Sequence, residues 1–213
     1  PIAVFAAVTA AIAKSGLGVI VDYGKFMGQF YFGIVILWVL LFIAAFAMVG
    51  RRAGALFMAV REPTLLAFAT ASSEAAYPKT LAQLEKFGCS NKVASFVLPL
   101  GYSFNLDGSM MYCTFAVLFI AQVYGIELSW GQQLTMLLIL MVTSKGMAGV
   151  PRASLVVIAA TLAQFNIPDS GLILLLAIDH FLDMGRSATN VIGNSVATAA
   201  VSAWDGQLKS EEE

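Results

Sequence analysis

The sequence predicts an all-α membrane protein in which transmembrane helices combine with two re-entrant helical hairpins and broken helices in an inverted repeat. Three observations lead there. Of 213 residues, 59% are hydrophobic and 12% charged, whereas soluble domains run at roughly 45–50% apolar and about 25% charged. Short apolar arms twice flank a polar tip, and each pair precedes a longer apolar run that carries polar residues. The last of these runs holds Asp179, Asp183, Arg186, Asn190 and Asn194. At roughly 100° per residue their spacing keeps all five within an arc of about 80° on one helix face.

The elements follow in order. Residues 1–26 read as a partial scaffold helix and loop. Pro1 opens inside an apolar run with neither a basic n-region nor a small-residue cleavage site, so this is no signal peptide. The expectation is a polypeptide whose earlier spans lie outside this sequence. Residues 27–53 form a transmembrane helix, because 27–50 is uncharged between Lys25 and Arg51/Arg52 and a span needs about 20 residues.

Residues 54–92 read as the first re-entrant hairpin. A short apolar arm over 63–71 meets the polar tip Ser72-Ser73-Glu74-Ala75-Ala76-Tyr77-Pro78, and 80–87 returns. Residues 93–127 are a transmembrane helix broken at Asn105-Leu106-Asp107-Gly108-Ser109, where carbonyls are freed for a ligand. Residues 128–168 form the second hairpin, with arms over 128–143 and 153–165. Its tip is Ser144-Lys145-Gly146-Met147-Ala148-Gly149-Val150-Pro151-Arg152. Residues 169–205 are the final transmembrane helix with the polar stripe, and 206–213 a cytoplasmic tail.

Two hairpins, each followed by an interrupted helix, match the pattern that marks the binding site of an inverted-repeat transporter. Arg51, Arg52, Arg61, Lys79, Lys86 and Lys92 flank the first hairpin, and the loops 125–131 and 166–170 carry no basic residue. The positive-inside bias therefore puts the first hairpin's base in the cytoplasm and the second's outside, so their tips approach from opposite sides.

A charge at the bilayer centre costs roughly 3 kcal/mol or more, so the stripe points to a substrate or ion path. The plainer alternative is one structural ion pair, Asp179 or Asp183 with Arg186. Five aligned polar positions, two of them amides, exceed what that requires. No basic patch with interleaved aromatics points to nucleic acid. Cys89 and Cys113 lack metal-ligand spacing and read as free thiols. His180 falls off the centre of the stripe, as a packed or interfacial side chain. Ser103 and His180 are the only conceivable hydrolase pair, and no oxyanion motif accompanies them. An enzyme is not expected.

Four motifs in order resemble the C-terminal part of the dicarboxylate/amino acid:cation symporters, the glutamate transporter family. They are Ser72-Ser73 with Pro78, Asn105-Leu106-Asp107-Gly108-Ser109, Ala148-Gly149-Val150-Pro151, and Asp183-Met184-Gly185-Arg186 with Asn190. The resemblance implies the glutamate-transporter fold with its N-terminal half missing, and a multi-pass protein of the inner (plasma) membrane, homotrimeric when complete. It implies that Arg186 holds a substrate side-chain carboxylate, a task suited to its planar fork, and that Asp183 takes an α-ammonium. Ser187 and Asn190 would hydrogen-bond the substrate, with Ser72, Ser73, Ser109, Gly149 and Val150 completing the cradle. Cation ligands would come from Asp107, Asn105, Ser103 and Asn194, from the carbonyls of Gly101 and Asn190, and from the backbone of Ser144, Lys145 and Met147. These are hard oxygen donors suited to an alkali cation.

The implied function is uptake of glutamate or aspartate by alternating access, coupled to protons, sodium or both, with no resident cofactor. A C4-dicarboxylate symporter is the alternative, and Asp183 argues against it because a substrate without an ammonium would leave that carboxylate unpaired. An anion channel and an intramembrane hydrolase rank behind both. Four departures bear on coupling: Asn194 stands where sodium-coupled members carry Asp, Glu74 replaces a hairpin serine, Lys145 and Arg152 charge the second tip, and Ala71 replaces an arginine of some relatives. Together they resemble the bacterial proton-coupled glutamate/aspartate symporters, with Glu74 as proton carrier. The alternative for Glu74 is a static pair with Lys145 or Arg152.

Overall fold

Uninterrupted apolar sequence with no proline becomes one long helix, α1 (Gly18–Val49), in the computed structural model. The structure describes residues 18–145, 147 and 151–209, together with positions 2, 5, 6, 9, 12, 13 and 16. The helix starts earlier than the uncharged stretch because Asp22 and Lys25 sit on an exposed face, 3.9 Å apart. Only one stripe of α1 is covered: Tyr23, Phe26, Phe30 and Ile34 are buried, while Phe32, Val35, Val39, Ile43 and Phe46 are exposed. A helix that is apolar all round yet half uncovered suits lipid or further helices.

A 3-10 turn, Gly50–Arg52, redirects the chain into α2 (Ala53–Thr70). Ala71 then adopts a left-handed conformation (φ 50°), and α3 (Ser73–Phe87) runs back against α2. The polar tip expected over residues 72–78 shrinks to Ala71 and Ser72. Ser72 Oγ accepts the Ala75 N–H, which satisfies a free donor of the first turn and lets the helix start at once. Pro78 therefore lies inside α3 rather than in a loop. At the other end of the pair, Arg52 donates to Phe87 O and Lys209 O and stacks over the Phe87 ring.

The next run divides into α4 (Asn91–Phe104) and α5 (Asp107–Val123), with only Asn105 and Leu106 outside the helices. Then α6 (Trp130–Thr143) and α7 (Ala153–Gln164) pack against α5 and each other. The final run is itself interrupted. A short α8 (Leu172–Leu176) precedes α9 (Asp179–Trp204), and Ile178 at φ −120° separates them. Buried almost all round, α9 touches α1, α2, α3, α4 and α5 and is the axis of the described residues.

Two apolar clusters flank that axis. One joins α1, α5, α6 and α7 through residues such as Phe30, Tyr112, Met136 and Ile158. The other joins α2, α3 and α4 through Leu56, Leu84 and Leu98. Two helical stretches, Ile20–Thr70 and Asn91–Val123, are long and apolar enough to cross a bilayer. The two cysteines are free and buried, one beside each cluster.

Candidate functional site

Small residues let the broken helix and α9 approach closely enough for polar groups to meet. A Cβ on Gly193 would come within 2.0 Å of Asp107 Oδ2, one on Gly101 within 2.2 Å of Asn194 Oδ1, and one on Gly108 within 2.2 Å of Arg186 O. The carboxylate of Asp107 and the amide of Asn194 thus lie where larger residues would bar them. Asn105 Nδ2 donates to Asn194 Oδ1 at 3.3 Å, tying the break to the last polar position of the stripe.

All five stripe residues are buried, four of them fully. Arg186 Nε lies 2.7 Å from Asp183 Oδ1, one turn earlier on the same helix. That is ion-pair distance, but the alignment is too poor for a hydrogen bond. Arg186 Nη1 also reaches Ser109 Oγ at 3.3 Å. Asp183 Oδ2 accepts the Arg152 main-chain N–H, and Arg152 Nε lies 3.6 Å from Asp179 Oδ2. On its other oxygen Asp179 accepts the Tyr112 hydroxyl.

Asn190 serves the break. Its Oδ1 accepts the N–H groups of Gly108 (2.9 Å) and Ser109 (3.3 Å), and its Nδ2 donates to Ser109 Oγ at 3.0 Å. The amide thereby caps the start of α5, whose first N–H groups have no partner within the helix. Gly101 O accepts the Asn105 N–H. Ser73 is fully buried and its carbonyl accepts the Tyr102 hydroxyl. Ser144 Oγ contacts Met110 Sδ, Ser154 Oγ contacts Met147 Sδ, and Met147 N donates to Ser144 O.

Buried polar atoms normally find partners, and an exception is explained by strain, a water or a ligand. Among the described residues, the buried side-chain atoms without a hydrogen-bond partner include Ser73 Oγ, Ser187 Oγ and Asn194 Nδ2, and also Tyr23 Oη on α1 and Ser202 Oγ near the end of α9. The structure brings Asp183, Arg186, Asn190, Ser109 and the tip residue Arg152 together, and separately Asn105, Asp107, Gly101 and Asn194. Ser103 is half-buried near the end of α4, and Glu74 is exposed in the first turn of α3. Lys145 and Arg152 engage Phe104 O and Asp179 respectively. Gly149 and Val150 lie outside the described residues.

Sequence reasoning missed Tyr112, the Arg152 contacts to Asp179 and Asp183, and Trp38, whose indole N–H donates to Thr189 Oγ1 at 2.8 Å. A tyrosine or tryptophan in an apolar run is a usable signal, since its polar atom needs a partner once buried. His180 is exposed, with its ring edge-on to Phe181.

The Sodium:dicarboxylate symporter family model matches residues 1–204. A proton/sodium-glutamate symport protein of Bacillus subtilis is 41% identical over 98% of this chain and 48% of its own length. C4-dicarboxylate transport proteins of Paraburkholderia phymatum (45% identical) and Burkholderia multivorans (47%) are each covered over 49% of their length, by 98% of this chain. The chain spans about half the length of these curated relatives. It belongs to the sodium:dicarboxylate symporter family, a family of membrane transporters and not of enzymes.

Proposed function

We propose that this member of the sodium:dicarboxylate symporter family supplies the substrate- and ion-handling half of a cation-coupled symporter for acidic amino acids. One observation carries the reading: a carboxylate and a guanidinium, Asp183 and Arg186, lie buried side by side on α9. An amino acid with an acidic side chain has the matching pair, an ammonium and a second carboxylate. Binding would exchange one ion pair for two, which offsets the desolvation of the ligand's own charges. Ser109, Ser187, Asn190, Ser72 and Ser73, with Gly149 and Val150, would complete the cradle. Asp107, Asn105, Asn194, Ser103 and the carbonyls of Gly101, Asn190, Ser144, Lys145 and Met147 would serve the coupling cation.

In this reading α2–α3 and α6–α7 are re-entrant hairpins entering from opposite sides. Each is followed by an interrupted helix, α4/α5 and α8/α9, as an inverted repeat requires. The carrier would sit in the inner membrane, assemble as a homotrimer and admit substrate alternately from either side. Protons, with Glu74 as their carrier, would drive uptake.

The second reading is a C4-dicarboxylate symporter, the activity printed in the names of the Paraburkholderia phymatum and Burkholderia multivorans relatives. Asp183 separates the two, because a plain dicarboxylate leaves it facing no cation from the ligand. Asp183→Ser should abolish aspartate binding while sparing or admitting succinate, measured as competition for uptake in proteoliposomes. Equal loss of both substrates would make Asp183 structural and remove this reading.

A further inference from the structure

The contact that links the second tip to the broken helix is made by a charge. Lys145 Nζ donates to Phe104 O at 2.5 Å, and Phe104 is the last residue of α4. The final carbonyls of a helix lack partners within it and carry the negative end of its dipole, so they attract cations. Asp107 opens α5 two positions after the break begins. Across the break stands Asn194, neutral and tied to Asn105.

We propose that the Lys145 ammonium is a tethered cation at the carbonyl end of α4, across the break from Asp107 at the start of α5, and that an external alkali cation must displace it to bind there. This rests on the reading of the chain as part of a cation-coupled carrier. One carboxylate and one ammonium leave the break electrically neutral, so an added alkali ion would bring an uncompensated charge. An ammonium can stand in for such an ion because it is a compact point charge with three donors on a flexible stem. Lys145 directly follows Ser144, which ends α6, so the charge moves with the tip. Sodium is thereby dispensable, and the Lys145 side chain sets ion selectivity without being an oxygen donor.

The test uses the purified full-length protein, with thermal unfolding followed during a sodium chloride titration against choline chloride. Lys145→Met should gain a sodium-dependent rise in Tm, with apparent sodium affinity at least about tenfold tighter than the wild type's. In proteoliposomes, net aspartate uptake by Lys145→Met should require sodium while wild-type uptake does not. The same sodium response in wild type, Lys145→Met and Lys145→Gln would overturn the assignment. Aspartate exchange in the same vesicles reports the transport reading separately. A carrier that exchanges no acidic substrate but still shows the Lys145-dependent sodium response would sink that reading and leave the tethered cation standing.

Discussion

The two helix pairs reach the site by different means. Between α2 and α3 the chain turns through one left-handed alanine and one capping serine, with Ala71, Ser72 and Ser73 all buried. Its charged contact, Glu62 to Lys79 at 2.8 Å, is exposed and such pairs are worth little. Between α6 and α7 the connection spans residues 144–152 and carries Lys145 and Arg152, whose charged ends reach α4 and α9. Among the described residues of the second tip, Lys145 and Arg152 add charged contacts to the buried Ser144 and Met147. Packing is lost gradually over many small contacts, whereas a polar latch has two states, engaged or replaced by a ligand. We propose on that contrast that the second tip is the gate and the first the wall.

The largest effect is expected at the buried ion pair on α9. Arg186→Ala leaves Asp183 buried without its cation, which costs about 3–5 kcal/mol when one partner of a buried pair is removed. Acidic-substrate affinity should fall by more than about tenfold. Isothermal titration and uptake measure it, and unchanged binding of aspartate would break the assignment of Arg186 as carboxylate clamp.

A smaller effect should separate the tips. Arg152 is 49% exposed on its side chain, so its pair with Asp179 is partly screened and is worth at most about 1 kcal/mol. Losing it should favour the open second tip by up to about fivefold. The two free cysteines report on the two regions: Cys113 Sγ faces Ser154 O on α7, and Cys89 lies at the base of the first pair. Arg152→Ala should speed thiol labelling of Cys113 and leave Cys89 unchanged. Equal acceleration at both would mean general loosening and dissolve the contrast between gate and wall.

The smallest effect on binding is expected at the first tip. Glu74 is exposed in the first turn of α3. Glu74→Gln should leave substrate affinity and exchange intact while net uptake loses its pH dependence. A pH profile identical to wild type would remove Glu74 as the proton carrier and make the first tip purely a wall.

Much of this was legible in the chain because a bilayer imposes strict rules. Polar residues in apolar runs are costly enough to be few, so Asp183, Arg186, Asn190, Asn194 and Asp107 stood out. The break at Asn105 and Leu106 was visible for the same reason. Other features were less legible. The first tip looked longer than it is, because whether Ser72 caps a helix depends on the backbone it finds. The interruption at Ile178 had no polar residue to announce it.

Composition and periodicity by themselves determined the class, the order of apolar segments and the face on which the ionisable residues lie, since each follows from local sequence and helix geometry. Tertiary structure alone decided the partners. That Asp107 rests on Gly193, that Asn190 caps α5 rather than pointing freely into the site, and that Arg152 and Lys145 reach Asp179 and Phe104 are meetings between distant segments. Spacing along one helix cannot encode them, because close approach depends on which neighbouring helix presents its small residues at that level.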